Sequence, residues 1–278
     1  MQKADIRTQW EGAAPGWARW EATVAAWMEP ATEAMLAMAG VDTGARVLDL
    51  ASGAGSQTLQ AARRVGAQGH VVASDIADTM LHLVRENARA AGLANVTTLA
   101  GAAEDLDVTA ESFDAVICRL GLMLFAAPAK ALTVVRRALR PGGKVAVVVF
   151  TTPAANPFMA RPMQILLRHA DKTPPGPGQP GIFALGAPGV LERLLVDSGF
   201  VVVEQRTLAL SLWMPSAAQA LAMMQEAFGA YRAVLSASPE GVRAAAWTEV
   251  AETLKTFETP TGFVASGEVL VAAGAKSA

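Results

Sequence analysis

From residue 46 to residue 150, short runs of apolar, often β-branched residues alternate with longer stretches whose apolar side chains return every three or four positions. The first pattern predicts strands buried on both faces, and the second predicts amphipathic helices. RVLDLA (46–51), HVVASD (70–75), VTTLAG (96–101), FDAVICRL (113–120) and GKVAVVVF (143–150) read in turn as five strands. Between them, a helix over 79–91 places Leu81, Val84 and Ala88 on one face, with Asp78 as N-cap and Gly92 as stop. Another runs over 129–140 behind Pro128 and ends in the turn RPGG (140–143). Such alternation with short connections predicts an α/β fold with a doubly wound, mostly parallel sheet.

After residue 150 the rhythm changes. TPPGPGQPGIFALGAPG (173–189) is too rich in proline and glycine for regular structure and reads as a loop or hinge. A helix over about 189–198 leads through Gly199 into a strand, FVVVEQRTLAL (200–210). Helical spacing returns over 215–235 and 240–257, and GFVASGEVLVAAGAK (262–276) alternates like a last strand kinked at Gly267. The first forty residues are helical in pattern and aromatic, with Trp10, Trp17, Trp20 and Trp27 close together. An amphipathic helix packed on the core and a lid over a bound ligand both fit them. The expected division is a helical lid at 1–40, a core at 41–150, and a remainder at 151–278. That remainder completes the sheet and adds cap helices at about 151–188 and 211–258.

Composition narrows the function. With 52% apolar and 17% charged residues, a large core is affordable and wholesale disorder is not expected. A net charge of -2 carries no sign of a general affinity for polyanions, so nucleic acid is not an expected partner. Cys118 is the single cysteine, which excludes an intrachain disulfide and a cysteine-based zinc cluster and suits a reducing compartment. MQKADIRTQWEG has no apolar segment of a secretory signal, and no run approaches the length of a membrane span. The expectation is a cytoplasmic protein with a small-molecule substrate and no membrane partner, with a homodimer as its expected assembly.

The chemistry starts at VLDLASGAGSQTLQAA (47–62), where a strand runs through small residues into a helix. A phosphate loop needs a lysine and then Ser or Thr after its second glycine, and GAGSQT has no lysine. A dinucleotide fingerprint needs a third glycine, where this chain has Thr58 or Ser56 depending on the starting position. What remains is an acidic residue followed by small residues at alternate positions, Asp49, Ala51, Gly53 and Gly55. Downstream come VVASDIADTM (71–80), LAGAAEDLD (99–107), SFDAVICRLGLMLF (112–125) and ALRPGGKVAVVVF (138–150).

In this order and spacing, the motifs over about residues 40–150 resemble the class I S-adenosylmethionine-dependent methyltransferases. The segment QWEGAAPGWARW (9–20) is similar to the lead-in of the quinone-biosynthesis-like, small-molecule subgroup. The resemblance implies a Rossmann-like, seven-stranded sheet with a helical cap, S-adenosylmethionine as cofactor, and small-molecule methylation of the kind found in secondary metabolism. It assigns the loop Asp49, Ala51, Ser52, Gly53 and Gly55 to the cofactor, with Ala51 standing where the family usually has glycine. Asp75 would accept hydrogen bonds from both ribose hydroxyls, one per carboxylate oxygen. Ile76 would pack on the adenine, whose amino group would meet Ala103 or Glu104, since Ala102 replaces the usual Asp or Asn. Cys118 and Arg119 belong to the segment beside the methionine portion. Trp17 and Arg19 would close over the cofactor.

The residues by themselves leave other readings open. Asp75 can cap a turn at a strand end, Glu104 can face solvent, and Cys118 can be a small buried hydrophobe. Arg119 can meet a carboxylate or reach the surface. A nicotinamide-dependent oxidoreductase and a non-catalytic S-adenosylmethionine-binding protein are the alternative functions. For a proton acceptor, His169 and then Tyr231 are the candidates, because the chain holds three histidines and one tyrosine. The acceptor pocket is expected in 151–188 and 211–258, where Met and aromatic residues suit an apolar, ring-containing substrate such as an aromatic or polyketide-like metabolite. The reaction expected is methyl transfer to oxygen or carbon.

Overall fold

Apolar strands that bury both faces need helices on both sides, and that requirement sets the architecture. The computed structural model describes residues 3–176 and 178–278, with the side chains described from Ile6 onward. Met1, Gln2 and Pro177, the last within the proline-rich stretch at 173–189, lie outside the described residues. The strands are β1 (Arg46–Leu50), β2 (His70–Asp75), β3 (Val96–Ala100), β4 (Phe113–Arg119), β5 (Leu139–Phe150), β6 (Val201–Met214), β7 (Glu258–Thr259) and β8 (Gly262–Ala275). They form one sheet in the order β3-β2-β1-β4-β5-β8-β6, with the two-residue β7 paired to β8. The first five are parallel, and β8 runs antiparallel to both β5 and β6. The expected seven strands are present, and β7 adds an eighth.

Chain order reverses between β1 and β4, because β2 and β3 extend the sheet one way and β4 and β5 the other. At such a switch point the loops beyond the strand ends part and leave a crevice. The helices are α1 (Lys3–Glu11), α2 (Ala14–Met38), α3 (Ser56–Val65), α4 (Asp78–Ala90), α5 (Pro128–Ala138), α6 (Pro157–His169), α7 (Val190–Asp197), α8 (Ala217–Ala227), α9 (Gly229–Val234) and α10 (Glu240–Lys255). Among the described residues no helix is long and apolar enough to cross a membrane.

α2 is the spine of the molecule. Its buried residues, from Trp20, Val24 and Trp27 through Met28, Ala31, Met35 and Leu36, recur at helical spacing along one side. Pro30 is tolerated mid-helix because it sits on the exposed side. Gly16 lets the start of α2 approach the end of α8, since a Cβ there would stand 2.0 Å from the Glu226 carbonyl oxygen. Trp27 packs against Phe150 and Phe158, with ring centroids 5.8 and 6.1 Å away, which joins α2 to β5 and α6.

Several boundaries differ from the sequence reading for identifiable reasons. Ala77, not Asp78, is the N-cap of α4; its N–H is taken by Asp75 Oδ1 at 3.0 Å, and Asp78 is the first helical residue. RPGG lies inside β5, which starts at Leu139 and passes an irregularity opposite Phe113 and Ala115. The helix expected over 215–235 is two, α8 and α9, separated at Phe228. β8 runs through Gly267 because Asn156 Oδ1 accepts the next N–H, of Glu268, at 2.8 Å. A side chain at 267 would stand 2.9 Å from that oxygen, so the glycine admits Asn156.

Candidate active site

The crevice at the switch point is a cleft of about 1130 Å³ counting its open mouth. Its floor is the β1–α3 loop, Ala51 to Ala54 with Ser56 and Gln57. One side carries Ser74, Asp75, Ile76 and Met80, then Gly101 to Glu104. The other carries Arg119, Leu120 and Gly121 with Leu124, Phe125 and Ala126. Ile6 and Trp10 of α1 and Trp17, Glu21 and Val24 of α2 form the outer wall.

Two carboxylates shape the floor. Asp49 is fully buried beneath the loop and accepts hydrogen bonds from Thr58 Oγ1 at 2.5 Å and Gln57 Nε2 at 3.3 Å. Burial pushes its pKa up to about 7, against those two hydrogen bonds and the Arg119 charge. Asp75, at the end of β2, accepts Gly53 N–H on Oδ2 and Ala77 N–H on Oδ1, each at 3.0 Å. Burial raises its pKa too, and the backbone donors oppose the rise. A carboxylate oxygen has more than one acceptor position, so each oxygen of Asp75 retains capacity toward the cleft. Capping a turn and presenting a carboxylate are therefore one geometry.

The loop is strained where the sequence departs from glycine. Ala51 has φ 53°, in the left-handed region, and Leu120 across the cleft has φ 62°. Gly53 has φ 55° with nothing within 4 Å of where its Cβ would stand, so the backbone is open to a ligand. Gly121 is needed for a different reason: its Cβ would meet Ala51 Cβ at 2.6 Å and Cys118 Sγ at 2.9 Å. The two loops approach only because residue 121 has no side chain.

Arg119 does not reach the surface. It is buried at the end of β4, donating from Nη1 to Thr32 Oγ1 at 2.9 Å and from Nη2 to Ser56 Oγ at 2.6 Å. Burial lowers its pKa to about 10, partly offset by Asp49 and Glu21. Glu21 accepts from Asn87 Nδ2 at 2.7 Å, and the same amide holds the Ala54 carbonyl at 3.0 Å. Burial raises the Glu21 pKa, opposed by Asn87 and Arg119. Two buried polar atoms of the lining, Ser52 Oγ and Trp17 Nε1, lack a protein partner. Such atoms are costly unless a ligand or water meets them.

Of the residues singled out in the sequence, the structure brings Ala51, Ser52, Gly53, Asp75, Ile76, Ala103, Glu104, Arg119 and Trp17 onto the cleft. Glu104 is buried, with Oε1 accepting Ala127 N–H at 3.3 Å, and so does not face bulk solvent. Asp49, Gly55 and Cys118 lie behind the lining. Burial raises the Cys118 thiol to about 12, which fits an inert packing residue.

Three residues stand elsewhere. Arg19 points away from the cleft, pairing with Glu226 at 3.0 Å and lying over the Trp20 ring. His169 ends α6 and meets Glu249 of α10 at 2.8 Å, so it braces two cap helices. Tyr231 is fully buried and donates to the Met159 carbonyl at 2.7 Å; without a nearby base, burial raises its pKa. Neither expected proton acceptor lines the cleft.

The expected acceptor segments are also corrected, because no residue of 151–258 is among the cleft lining. Met214, Met223, Met224, Phe228 and Tyr231 are core of the cap, and Trp213 is exposed. The sequence reading missed Glu21, Trp10, Ser56 and Gly121. Glu21 follows Trp17 by one helical turn and so shares its face, which was a readable signal.

Residues 41–170 match a family model described as a methyltransferase domain. Curated relatives include the ubiquinone/menaquinone biosynthesis C-methyltransferases of Idiomarina loihiensis and Proteus mirabilis, each 40% identical over 117 and 120 residues. Those matches cover 42% and 43% of this chain, which spans about half the length of the relatives, 47% and 48%. Among solved structures, the YcgJ protein of Bacillus subtilis aligns over 90% of this chain and 99% of its own, with TM-score 0.61 and 17% identity. The [4+2]-cyclase SpnF aligns over 90% and 82%, with TM-score 0.55 and 18% identity. These structural likenesses show the fold, and the cyclase shows that the fold carries more than one chemistry.

Two outcomes follow from the loop. Ala51→Gly should raise unfolding free energy by about 0.5–1 kcal/mol, because relief of the left-handed strain exceeds the added chain entropy; urea denaturation reads it. The raised pKa of Asp49 means the folded state keeps a proton that the unfolded chain has lost between the ordinary carboxylate range and about 7. Stability from this group is present at low pH and declines as pH rises through that window. Asp49→Asn should remove this component of the slope when denaturation of both proteins is measured from pH 4 to pH 8.

Proposed function

We propose that this chain, whose residues 41–170 match a methyltransferase domain, is a class I S-adenosylmethionine-dependent methyltransferase that transfers a methyl group from S-adenosylmethionine to a small, relatively apolar acceptor. One observation carries the reading. At the switch point a buried carboxylate, an open glycine and an unpartnered serine hydroxyl converge on one cleft, with a buried arginine beside them.

The residues present fit the cofactor. Asp75 has acceptor capacity for two vicinal hydroxyls, Ile76 and Met80 offer an apolar wall for a base, and Gly53 leaves the loop backbone accessible. Ser52 Oγ is a donor in want of an acceptor, and Arg119 is the cleft's cation for a carboxylate. When bound, the cofactor supplies an electrophilic methyl group on a sulfonium.

The chain's own contribution is orientation, exclusion of water and control of one proton. Trp10, Trp17, Val24 and Phe125 give the acceptor side an apolar, aromatic lining, which favours a ring-containing molecule over a small charged one. Glu21 is the carboxyl on that side. Its burial keeps it basic enough to accept a proton from a hydroxyl or an acidic carbon. We therefore place the proton-accepting role at Glu21, in place of His169 and Tyr231. The relatives' name, C-methyltransferase, supports carbon as the accepting atom alongside oxygen.

Isothermal calorimetry with S-adenosylhomocysteine should give binding, and Asp75→Ala should weaken it by about 10–100-fold through loss of charged hydrogen bonds. Binding of NADH with no response to either sulfur compound overturns the reading. Glu21→Gln should leave S-adenosylhomocysteine affinity within about threefold and slow methylation of simple phenols and hydroquinones by about 100-fold or more. An unchanged rate in that variant retires Glu21 as the proton acceptor.

A further inference from the structure

The carboxyl on the acceptor side of the cleft does not stand alone. Glu21 of α2 accepts on Oε2 from Asn87 Nδ2 of α4 at 2.7 Å, and the same nitrogen donates to the Ala54 carbonyl at 3.0 Å. Asn87 thus joins the outer wall of the cleft to the loop that floors it. Asparagine is a poorer helix former than alanine or leucine, yet it stands half-buried in the interior of α4. What it supplies at that position is two hydrogen bonds, not helix propensity.

The direction of the amide decides what Glu21 is offered. A backbone carbonyl can only accept, so the Ala54 oxygen draws the NH2 end of Asn87 toward itself. The second hydrogen of that NH2 faces Glu21, which therefore meets a donor. Such a donor favours the ionised carboxylate, the form that takes up a proton. Among the described residues Glu21 Oε1 takes no hydrogen bond from the protein, so that oxygen is the one left for an acceptor molecule. Burial raises the Glu21 pKa, and Asn87 and Arg119 of β4 oppose the rise. The other carboxyls of the cleft lining are Asp75 and Glu104. On α4, Asp78 pairs with Arg7, Arg85 donates to Thr98, Arg89 pairs with Glu86, and His82 is exposed. Glu226 of α8 pairs with Arg19. None of these takes Glu21 as a partner.

We propose that Asn87 is a positioning residue for methyl transfer, holding Glu21 ionised and in place against the loop that carries the cofactor. This role presupposes Glu21 as the proton acceptor. Asn87 itself is not part of the cleft lining, so it acts through Glu21 and the loop and not by touching the acceptor.

A direct titration of Glu21 by nuclear magnetic resonance tests it. In the intact chain, isotopically labelled at the glutamate Cδ carbon, the Glu21 signal is the one that Glu21→Gln removes. Asn87→Ala deletes the donor, so the midpoint of that signal should rise by about one pH unit or more. Asn87→Asp keeps the shape and sets a second carboxyl beside the first, so the midpoint should rise further. Alanine is the better helix former, so α4 should persist in Asn87→Ala, and far-ultraviolet circular dichroism checks it. With hydroquinone as methyl acceptor, the acid limb of kcat should move up by the same amount, with the rate recovering at high pH. A midpoint unmoved in both variants overturns the role of Asn87 and leaves the methyl-transfer reading standing. A rate lowered at every pH with the limb in place also overturns it. A midpoint that moves while Glu21→Gln methylates at the wild-type rate removes Glu21 from the reaction, and the positioning role with it.

Discussion

Two buried carboxylates at neighbouring strand ends hold the β1–α3 loop in the shape on which the cleft depends. Asp49 fixes the loop from below through Thr58 and Gln57 at the start of α3. Asp75 fixes it from the side through the Gly53 N–H and at the same time starts α4 through the Ala77 N–H. Burying either charge is costly; hydrogen bonds offset the cost at both, and the nearby Arg119 offsets it further at Asp49. The elevated pKa values are the residue of that imbalance. Without these anchors a loop holding left-handed Ala51 and Gly53 would have cheaper conformations available.

α2 couples this floor to the rest of the molecule. Thr32 receives Arg119 from β4, and Glu21 receives Asn87 from α4. Trp20 donates to Glu226 of α8 at 2.7 Å. One helix thus touches both halves of the sheet and the cap. α1 and the turn after it complete the cover, with Arg7 4.0 Å from Asp78 on α4 and the Gly12 carbonyl accepting from Arg232 of α9. The cap helices do not line the cleft; their role is to hold α2 in place. That is why His169 and Tyr231, which looked chemical in the sequence, prove to be braces between cap elements.

The core was legible where local and tertiary signals agree. β1, β2, β4 and the second half of β5 are largely buried on both faces, so their apolar runs stand out, and β2 matches the reading residue for residue; β3, at the sheet edge, has no buried residue. Asp75, Ile76 and Glu104 were legible because their motifs are local. Glu21 was readable from its spacing to Trp17, but Ser56 and Gly121 acquire their place from contacts between distant segments, Ser56 through Arg119 and Gly121 through its approach to Ala51. A Met- and aromatic-rich helical segment has the same pattern whether it lines a pocket or fills a core, so spacing alone could not separate the two for 211–258. The helix Pro157–His169 falls within the cap helices expected at about 151–188, with its first proline in the N-terminal turn where proline fits.

The composition of the cleft bears on where specificity resides. Its strand-end side, from Ala51 to Ala126, falls within the residues that match the methyltransferase model. Its outer wall, Ile6, Trp10, Trp17, Glu21 and Val24, falls before residue 41 and outside that match. Groups that bind a common cofactor need the same donors in the same places, whereas groups that bind an acceptor vary with it. The division of the cleft between matched and unmatched segments follows that expectation. The paired tryptophans Trp10 and Trp17, 6.5 Å apart, make this wall aromatic. On the proposed reading, the two N-terminal helices set selectivity for the acceptor, and Glu21 on one of them is the carboxyl assigned to its proton.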